Sequence, residues 1–168
     1  MNLYRNPWHF IFIAVIPLVV IASAYSCRSE QNLERSLKRL ELEYRIDEDG
    51  DFRVNVPVGN GTEAVVGVSL HTILLDGDVR VREIWAVAGR FPGRIPDDLA
   101  EDLLTDSWSS RKFGSWALAG TTSDLKQVLV YLIRIPENAS HRLLRAALID
   151  AAESSAELKQ ALRSLLEK

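Results

Sequence analysis

The hydrophobic pattern divides the chain into an apolar N-terminal segment and a longer region in which apolar and polar positions alternate. From Asn6 to Cys27 there are 22 residues without Lys, Arg, Asp or Glu. As a helix rising about 1.5 Å per residue, this segment is long enough for the roughly 30 Å of a membrane's hydrocarbon core. We therefore predict a single transmembrane anchor over residues 1–27. Its characteristic residues are Trp8, Phe10, Ile13, Pro17, Val20 and Tyr25.

Three interpretations of this segment compete. A buried core helix is the first, but the run has no polar face. A lipoprotein signal is the second, because Ala24 to Cys27 resembles a lipobox, with Tyr25 atypical for it. In that case Cys27 would carry the lipid and residues 1–26 would be removed. The uncleaved anchor is the third and the one we favour, since Trp8 and Tyr25 suit the two membrane interfaces and Pro17 is tolerated within a span.

The next segment, Ser29 to Glu43, is typical of an amphipathic helix. Leu33, Leu37 and Leu40 recur at positions i, i+4 and i+7 and form a narrow apolar stripe. Glu34 and Lys38 have the i,i+4 spacing of a favourable helical ion pair.

After this helix, apolar residues recur at every second position, a pattern that predicts β-strands. Phe52 to Val58, Ala64 to Leu75 and Val79 to Ala88 are the predicted strands, with Tyr44 and Ile46 leading into the first. Turn residues separate them: Asp49-Gly50, Asn60-Gly61 and Asp76-Gly77-Asp78. An antiparallel meander follows from this order.

The second half of the chain mixes helices and strands. Phe91 to Pro96 is predicted to be a connection, and a helix follows to about Asp106 with Leu99, Leu103 and Leu104 on its buried face. Residues 113–119 and 125–135 are predicted strands. Asn138 or Ser140 is predicted to cap a last helix that reaches about Lys168. Its apolar side carries Leu143, Ala147, Ala151, Leu158, Leu162 and Leu165.

These elements predict an α+β fold. We expect an antiparallel sheet of about five strands in the order α-β-β-β-α-β-β-α, with helices covering one side, preceded by one transmembrane helix. The predicted division is an anchor or lipoprotein signal at 1–27 and one α+β domain at 28–168.

Composition narrows the function. The chain has 168 residues, a net charge of −3, 47% hydrophobic and 26% charged residues, and one cysteine. This composition argues against disorder, and the slightly acidic balance argues against nucleic-acid binding. The single Cys27 excludes an internal disulfide and a cysteine zinc cluster.

Candidate chemical groups were weighed against structural roles. Asp47, Asp49 and Asp51 resemble a calcium loop, but Gly50 and Val58 stand at the wrong positions for one, so a hairpin turn is favoured. The three histidines, His9, His71 and His141, do not have the spacing of metal ligands. The aromatic residues Trp85, Phe113 and Trp116 lie on predicted strands, where packing is a better explanation than ligand binding. Arg90 and Arg94 near Gly89 and Gly93 fit a solvated loop better than a phosphate cradle. We therefore predict no catalytic, cofactor-binding or metal-binding residue.

Several local motifs, in order, resemble the bacterial YbjN-like family, whose fold is similar to that of type III secretion chaperones. They are Leu37 to Leu40, Asp49 to Phe52, Lys112 to Trp116, Tyr131 to Pro136 and Ala156-Glu157. The resemblance covers roughly residues 33–162 and implies a protein-binding or regulatory module without catalytic residues. It also implies that a homodimer is one alternative. The chain departs from the family in its N-terminal anchor and in Trp108, where a small polar residue is expected.

The sequence thus predicts a non-enzymatic, membrane-anchored protein-binding or regulatory domain, or an accessory subunit of a larger membrane complex. Its partners would be membrane lipid and membrane-embedded or membrane-proximal proteins, with no nucleic acid. An enzyme with an unrecognised site and a structural lipoprotein lipidated at Cys27 remain alternatives.

The distribution of basic residues predicts the side of the membrane. Arg5 alone precedes the span, whereas Arg28, Arg35, Lys38 and Arg39 follow it. The positive-inside rule counts these residues and places the domain on the cytoplasmic face. Lipidation at Cys27 would instead place it in the periplasm.

Overall fold

The computed structural model describes residues 30–59, 61–119 and 126–166. The predicted anchor over residues 1–27 and the candidate lipidation site Cys27 lie outside these ranges. Within them, no helix is both long and apolar enough to cross a membrane.

Six antiparallel strands form one sheet in the described part of the chain. They are β1 Tyr44–Ile46, β2 Phe52–Pro57, β3 Glu63–Leu74, β4 Arg80–Pro92, β5 Ser115–Ala119 and β6 Lys126–Pro136. Their order across the sheet is β1-β2-β3-β4-β6-β5. The α+β class and the antiparallel pairing are confirmed. The prediction of about five strands is one too few, because the short run Tyr44–Ile46 pairs with the next strand as a strand of its own.

Three helices accompany the sheet. They are α1 (residues 30–39), α2 Asp97–Ser109 and α3 His141–Leu166. Leu33 and Leu37 of α1 and Leu148 of α3 join the inward-facing residues of the strands in one hydrophobic core. α3 contacts β2, β3, β4 and β6, whereas α2 packs near β5 at the end of the sheet.

Three helix boundaries or faces differ from the prediction. The helix predicted to reach Glu43 ends at residue 39, because Glu41 adopts a positive φ of 55° that no helix continues. α2 extends three residues beyond Asp106, to Ser109. Leu104, predicted to be buried with Leu103, is 71% exposed.

Two strand boundaries also move. β4 continues through Phe91 and Pro92, which were predicted to be a connection, because a bulge between Val87 and Gly89 restores its pairing with β6. Phe113 was predicted to open a strand, but β5 begins at Ser115.

The predicted turn at Asp49-Gly50 is confirmed. Gly50 has a φ of 85°, and its N–H donates to the Asp47 carbonyl at 3.0 Å. The Asp47 carboxylate accepts the N–H groups of Asp49 and Asp51, at 3.1 and 3.0 Å. It also pairs with Arg53 at 2.7 Å. These acids therefore hold a hairpin together.

The predicted cap and ion pair are likewise present. The Ser140 hydroxyl accepts the Leu143 N–H at 3.2 Å at the start of α3. Lys38 lies 3.8 Å from Glu34 on α1.

The sheet face opposite the helices is also partly apolar. Trp85 lies flat across its strand neighbour Gly67, where an added Cβ would collide with the indole ring. The Arg53 guanidinium stacks over the same ring, 5.1 Å from its centroid. Trp85 is therefore a packing residue of this face, held between a glycine and an arginine.

Candidate functional site

An apolar groove runs between α2 and the strand β5. Its volume is about 270 Å³, and its lining is almost entirely hydrocarbon. We call it the α2–β5 groove. It is lined by Ile95, Ala100, Leu103, Leu104, Trp116, Ala117, Leu118 and Leu129.

Large apolar side chains stand exposed in this groove and next to it on α2. Leu104 lines the groove and is 71% exposed, and Trp108, 91% exposed, lies one helical turn further along the same side of α2. Leu118 of β5, which lines the groove, is 48% exposed. Contiguous exposed apolar surface of this kind marks interaction sites on soluble domains.

β5 is the last strand of the sheet, so one of its sides has no strand neighbour. The Trp116 N–H points to that side, because it donates to the Ser107 hydroxyl of α2 at 3.0 Å. Backbone groups alternate along an antiparallel strand, so those of Leu118 point the same way as those of Trp116. The open edge therefore meets the groove at Leu118.

The rim of the groove is acidic. α2 carries Asp97, Asp98, Glu101, Asp102 and Asp106 and no Lys or Arg. Arg94 pairs with Asp97 at 2.9 Å, and Arg111 pairs with Asp106 at 2.7 Å. Asp98, Glu101 and Asp102 are exposed, and Glu101 shares a side of α2 with Leu104 and Trp108, which follow it by three and seven residues. The surface thus combines an apolar centre with a negative border.

A polar network fixes the position of α2 against β5. The Asp106 carboxylate accepts the Trp116 indole N–H and the Arg111 Nε–H, both at 2.7 Å. Burial alone would raise the pKa of Asp106, but the hydrogen bonds from Arg111 and Trp116 outweigh it and hold that pKa below its usual value. Asp106 is therefore a charged anchor under the groove.

The same network reaches α3. Arg111 donates to the Ser154 hydroxyl at 3.1 Å and forks onto Glu157 at 3.1 Å from both terminal nitrogens. Burial works against the charged form, yet the pairing with Asp106 and Glu157 raises the pKa of Arg111 overall. Arg111 thus joins α2 to α3 across 46 residues of sequence.

Tyr131 completes the network inside the core. Its hydroxyl donates to Asp150 at 3.0 Å and accepts the Gly114 N–H at 3.0 Å. Burial and the neighbouring Asp150 carboxylate raise the pKa of Tyr131 to about 12. Within the described ranges, no buried side-chain nitrogen or oxygen lacks a hydrogen-bond partner. The network therefore has the character of a structural clamp; we call it the Arg111 clamp.

The residues weighed as catalytic or metal-binding candidates lie apart. His71 on β3 and His141 at the start of α3 are both exposed, and His9 falls outside the described residues. In the part of the chain that the structure describes, no three His, Cys, Asp or Glu side chains are grouped to hold a metal ion. Arg94 is occupied by Asp97, and Gly89 lies within β4, so these residues form no cradle.

The three aromatic candidates have separate roles. Trp116 is buried, with its ring 5.0 Å from that of Tyr131 in an edge-on arrangement. Trp85 lies on the opposite sheet face, and Phe113 sits just before β5. Trp116 alone reaches the groove, which it lines from below.

The sequence reasoning missed the groove itself. The available signal was a second apolar stripe on α2: Leu104 and Trp108 have helical spacing but are offset by one position from Leu99 and Leu103. Of this pair, Leu104 was predicted to be buried, together with Leu99 and Leu103. An apolar pair interleaved with acidic residues could have indicated an exposed binding face.

Comparisons with known proteins give one match. No protein-family model and no curated protein sequence matches the chain. The chain is similar in structure to YbjN from E. coli, with 16% sequence identity, 80% of this chain and 92% of that chain covered, and a TM-score of 0.46.

Proposed function

We propose that this chain is a non-enzymatic, membrane-anchored protein-binding module that holds its partner in the α2–β5 groove. The observation that carries the proposal is the exposed apolar surface formed by Leu104 and Leu118, which line that groove, and by Trp108, one helical turn from Leu104. Exposed tryptophan is the residue type most often found at the energetic centre of protein interfaces.

The size of the groove supports a side-chain ligand over a cofactor. Pockets for drug-sized molecules usually enclose about 300–1,000 Å³ and include a few convergent polar groups. The α2–β5 groove is smaller, about 270 Å³, and its lining is apolar. Apolar side chains from a protein segment fit this space and this chemistry.

The charge around the groove defines the partner further. Glu101 lies beside Leu104 on the exposed side of α2, and Asp98 and Asp102 add negative charge to the same helix. A partner segment with one or two bulky apolar residues flanked by Lys or Arg is complementary to that arrangement. An extended segment would also meet the open edge of β5 at Leu118 and pair with its backbone.

The predicted anchor places this module at a membrane. Only Arg28 and Ser29 separate the predicted anchor, residues 1–27, from α1, which begins at residue 30, so the two are at most roughly 10 Å apart along the chain. The module would therefore sit near the lipid surface and meet membrane-embedded or membrane-proximal partners, as an accessory subunit of a larger complex does. The basic residues after the span favour the cytoplasmic face.

Co-purification with groove variants tests the proposal. The tagged full chain is isolated from native membranes as wild type, Trp108→Ala, Leu104→Ser and Leu75→Ser. Leu75 is 48% exposed at the far β3–β4 hairpin and serves as the matched control. We expect a stoichiometric partner to co-purify with wild type and with Leu75→Ser. The amount of that partner should fall at least tenfold with Trp108→Ala or Leu104→Ser.

Two results would count against the proposal. One is a partner that Trp108→Ala and Leu104→Ser retain at the wild-type level. The other is a turnover by the purified chain that needs residues outside the groove. The variants are exposed, so their unfolding free energies should stay within about 0.5 kcal/mol of wild type.

A further inference from the structure

A second cavity, of about 510 Å³, lies at the opposite end of the domain from the groove. It is enclosed by α1, the ends of β4 and β6, and the first turn of α3. Three arginines line it: Arg35 and Arg39 from α1 and Arg82 from β4. We call it the arginine cavity.

One side of α1 faces this cavity. Asn32, Arg35, Ser36 and Arg39 recur at i, i+3, i+4 and i+7, so they form a polar stripe along the helix. The apolar stripe of Leu33 and Leu37 is buried in the core and holds the helix in place. Arg35 Nη1 donates to Asn32 Oδ1 at 3.1 Å, which orients the guanidinium.

Arg82 forms the inner wall of the cavity. It is 3% exposed, and its guanidinium donates to the carbonyl oxygens of Ser69 and Leu70. Glu137 is the one acidic side chain among the lining residues that the structure describes. Glu137 and Asp51 lie close enough to Arg82 to offset its charge, so the excess positive charge of this concave site comes from Arg35 and Arg39 on α1.

We propose that the arginine cavity binds a phosphate group, carried by an anionic phospholipid or by a soluble phosphate ester. Phosphate presents several acceptor oxygens, and guanidinium groups bind such oxygens in pairs. The N-terminal end of α3 lies beside the same space, since Leu144 of its first turn and Ala139, just before the helix, both line the cavity, and such an end favours an anion. The partner groove and the arginine cavity share no lining residue.

The position of the cavity gives a lipid phosphate a route to it. The helix α1, which carries Asn32, begins three residues beyond Cys27, where the predicted span ends, a distance of at most roughly 10 Å. The proposal that the phosphate belongs to a lipid depends on the proposed membrane anchor, whereas the proposal of a phosphate site does not. Anionic lipids are concentrated in the cytoplasmic leaflet, on the side that the basic residues favour.

The test uses the full chain in phosphatidylcholine nanodiscs. Inorganic phosphate and glycerol 1-phosphate are titrated by calorimetry, and thermal unfolding is compared with nanodiscs that also contain phosphatidylglycerol. The variant Arg35→Gln/Arg39→Gln removes two cavity arginines. The control Arg142→Gln/Arg145→Gln removes the same charge from exposed positions on α3.

We expect phosphate binding, or a higher unfolding midpoint with phosphatidylglycerol, in wild type and the control. Each lost guanidinium contact should weaken binding about tenfold or more, so the cavity variant should show neither effect. Glu137→Gln should tighten binding, because it removes the opposing carboxylate. A response to phosphatidylglycerol alone identifies a lipid ligand, and a response to the soluble esters identifies a soluble one.

The proposal is overturned if no probe binds, or if the control loses binding as much as the cavity variant, which would indicate unspecific charge attraction. Trp108→Ala should bind phosphate normally. Loss of partner capture with intact phosphate binding would therefore separate the two sites, and a failure of one proposal would leave the other standing.

Discussion

At the scale of single residues, this domain depends on a few positions where the backbone conformation, the available space or the hydrogen bonds favour one residue type. Gly50 turns the first hairpin with a φ of 85°, and Gly67 makes room for the Trp85 ring. Tyr131 satisfies two buried polar groups at once, the Asp150 carboxylate and the Gly114 N–H. The turn was readable from Asp49-Gly50 alone, whereas the other two roles depend on partners far away in sequence.

Replacement of Gly50 by Val should destabilise the domain by about 1–2 kcal/mol, because a β-branched residue resists positive φ. Space is not the cause, since an added Cβ would be 3.8 Å from Leu70, an ordinary contact. Denaturant unfolding measures the change. Gly50→Asn, which tolerates this conformation, should lose less; equal loss in both variants would refute the backbone explanation.

Tyr131 should make the domain sensitive to alkaline pH. Its pKa is raised to about 12 in the folded state from an ordinary value near 10. The neutral phenol is therefore favoured by folding, so its contribution is complete below about pH 10 and is lost as pH rises toward 12. Unfolding free energies measured across this range should fall in wild type and fall less in Tyr131→Phe. Identical slopes would contradict the assignment.

At the scale of elements, the amphipathic patterns predicted the helices and strands but not the order of the strands across the sheet. The alternation of Phe52, Val54 and Val56 identified β2, and Leu33 and Leu37 identified the core side of α1. The placement of β6 between β4 and β5 could not be inferred, since hydrophobic periodicity carries no information on strand order. Leu104 misled for a related reason: a second apolar stripe has the same helical period whether it faces a core or a partner.

The Arg111 clamp should control whether α2 and β5 keep the groove in shape. Arg111→Leu removes the forked contact to Glu157 and the Nε–H bond to Asp106, which leaves the Asp106 carboxylate with one donor fewer. We expect a loss of about 2–4 kcal/mol in unfolding free energy and weaker partner capture. Arg111→Lys keeps the charge but not the fork, so it should recover part of the loss. Full stability in Arg111→Leu would show that the clamp is dispensable.

At the scale of the whole molecule, two separate surfaces and one predicted anchor make up the proposed function. The α2–β5 groove lies at one end of the sheet and the arginine cavity lies beside α1, where the chain would leave the membrane. A single domain could thus contact lipid at one end and a protein at the other. The composition and motifs of the sequence indicated a binding module, but neither surface could be located without the fold.

The anchor itself is open to a direct measurement. We predict that the protein purified from membranes has the intact mass of the uncleaved chain, and that a tag after Lys168 resists external protease in sealed cells. A mass that corresponds to a chain beginning at a lipidated Cys27 would establish the lipoprotein alternative. Cleavage of the tag, with a cytoplasmic control protein preserved, would place the domain outside.

The central claim is that a protein partner occupies the α2–β5 groove, and site-specific photo-crosslinking in native membranes tests it most directly. A photoreactive residue is placed at position 108, next to the groove, or at position 75, on the distant hairpin. The account predicts a discrete crosslink to one other protein from position 108 and none from position 75. A crosslink only to a second copy of this chain would make the groove a homodimer interface, and equal crosslinking from both positions would contradict the account.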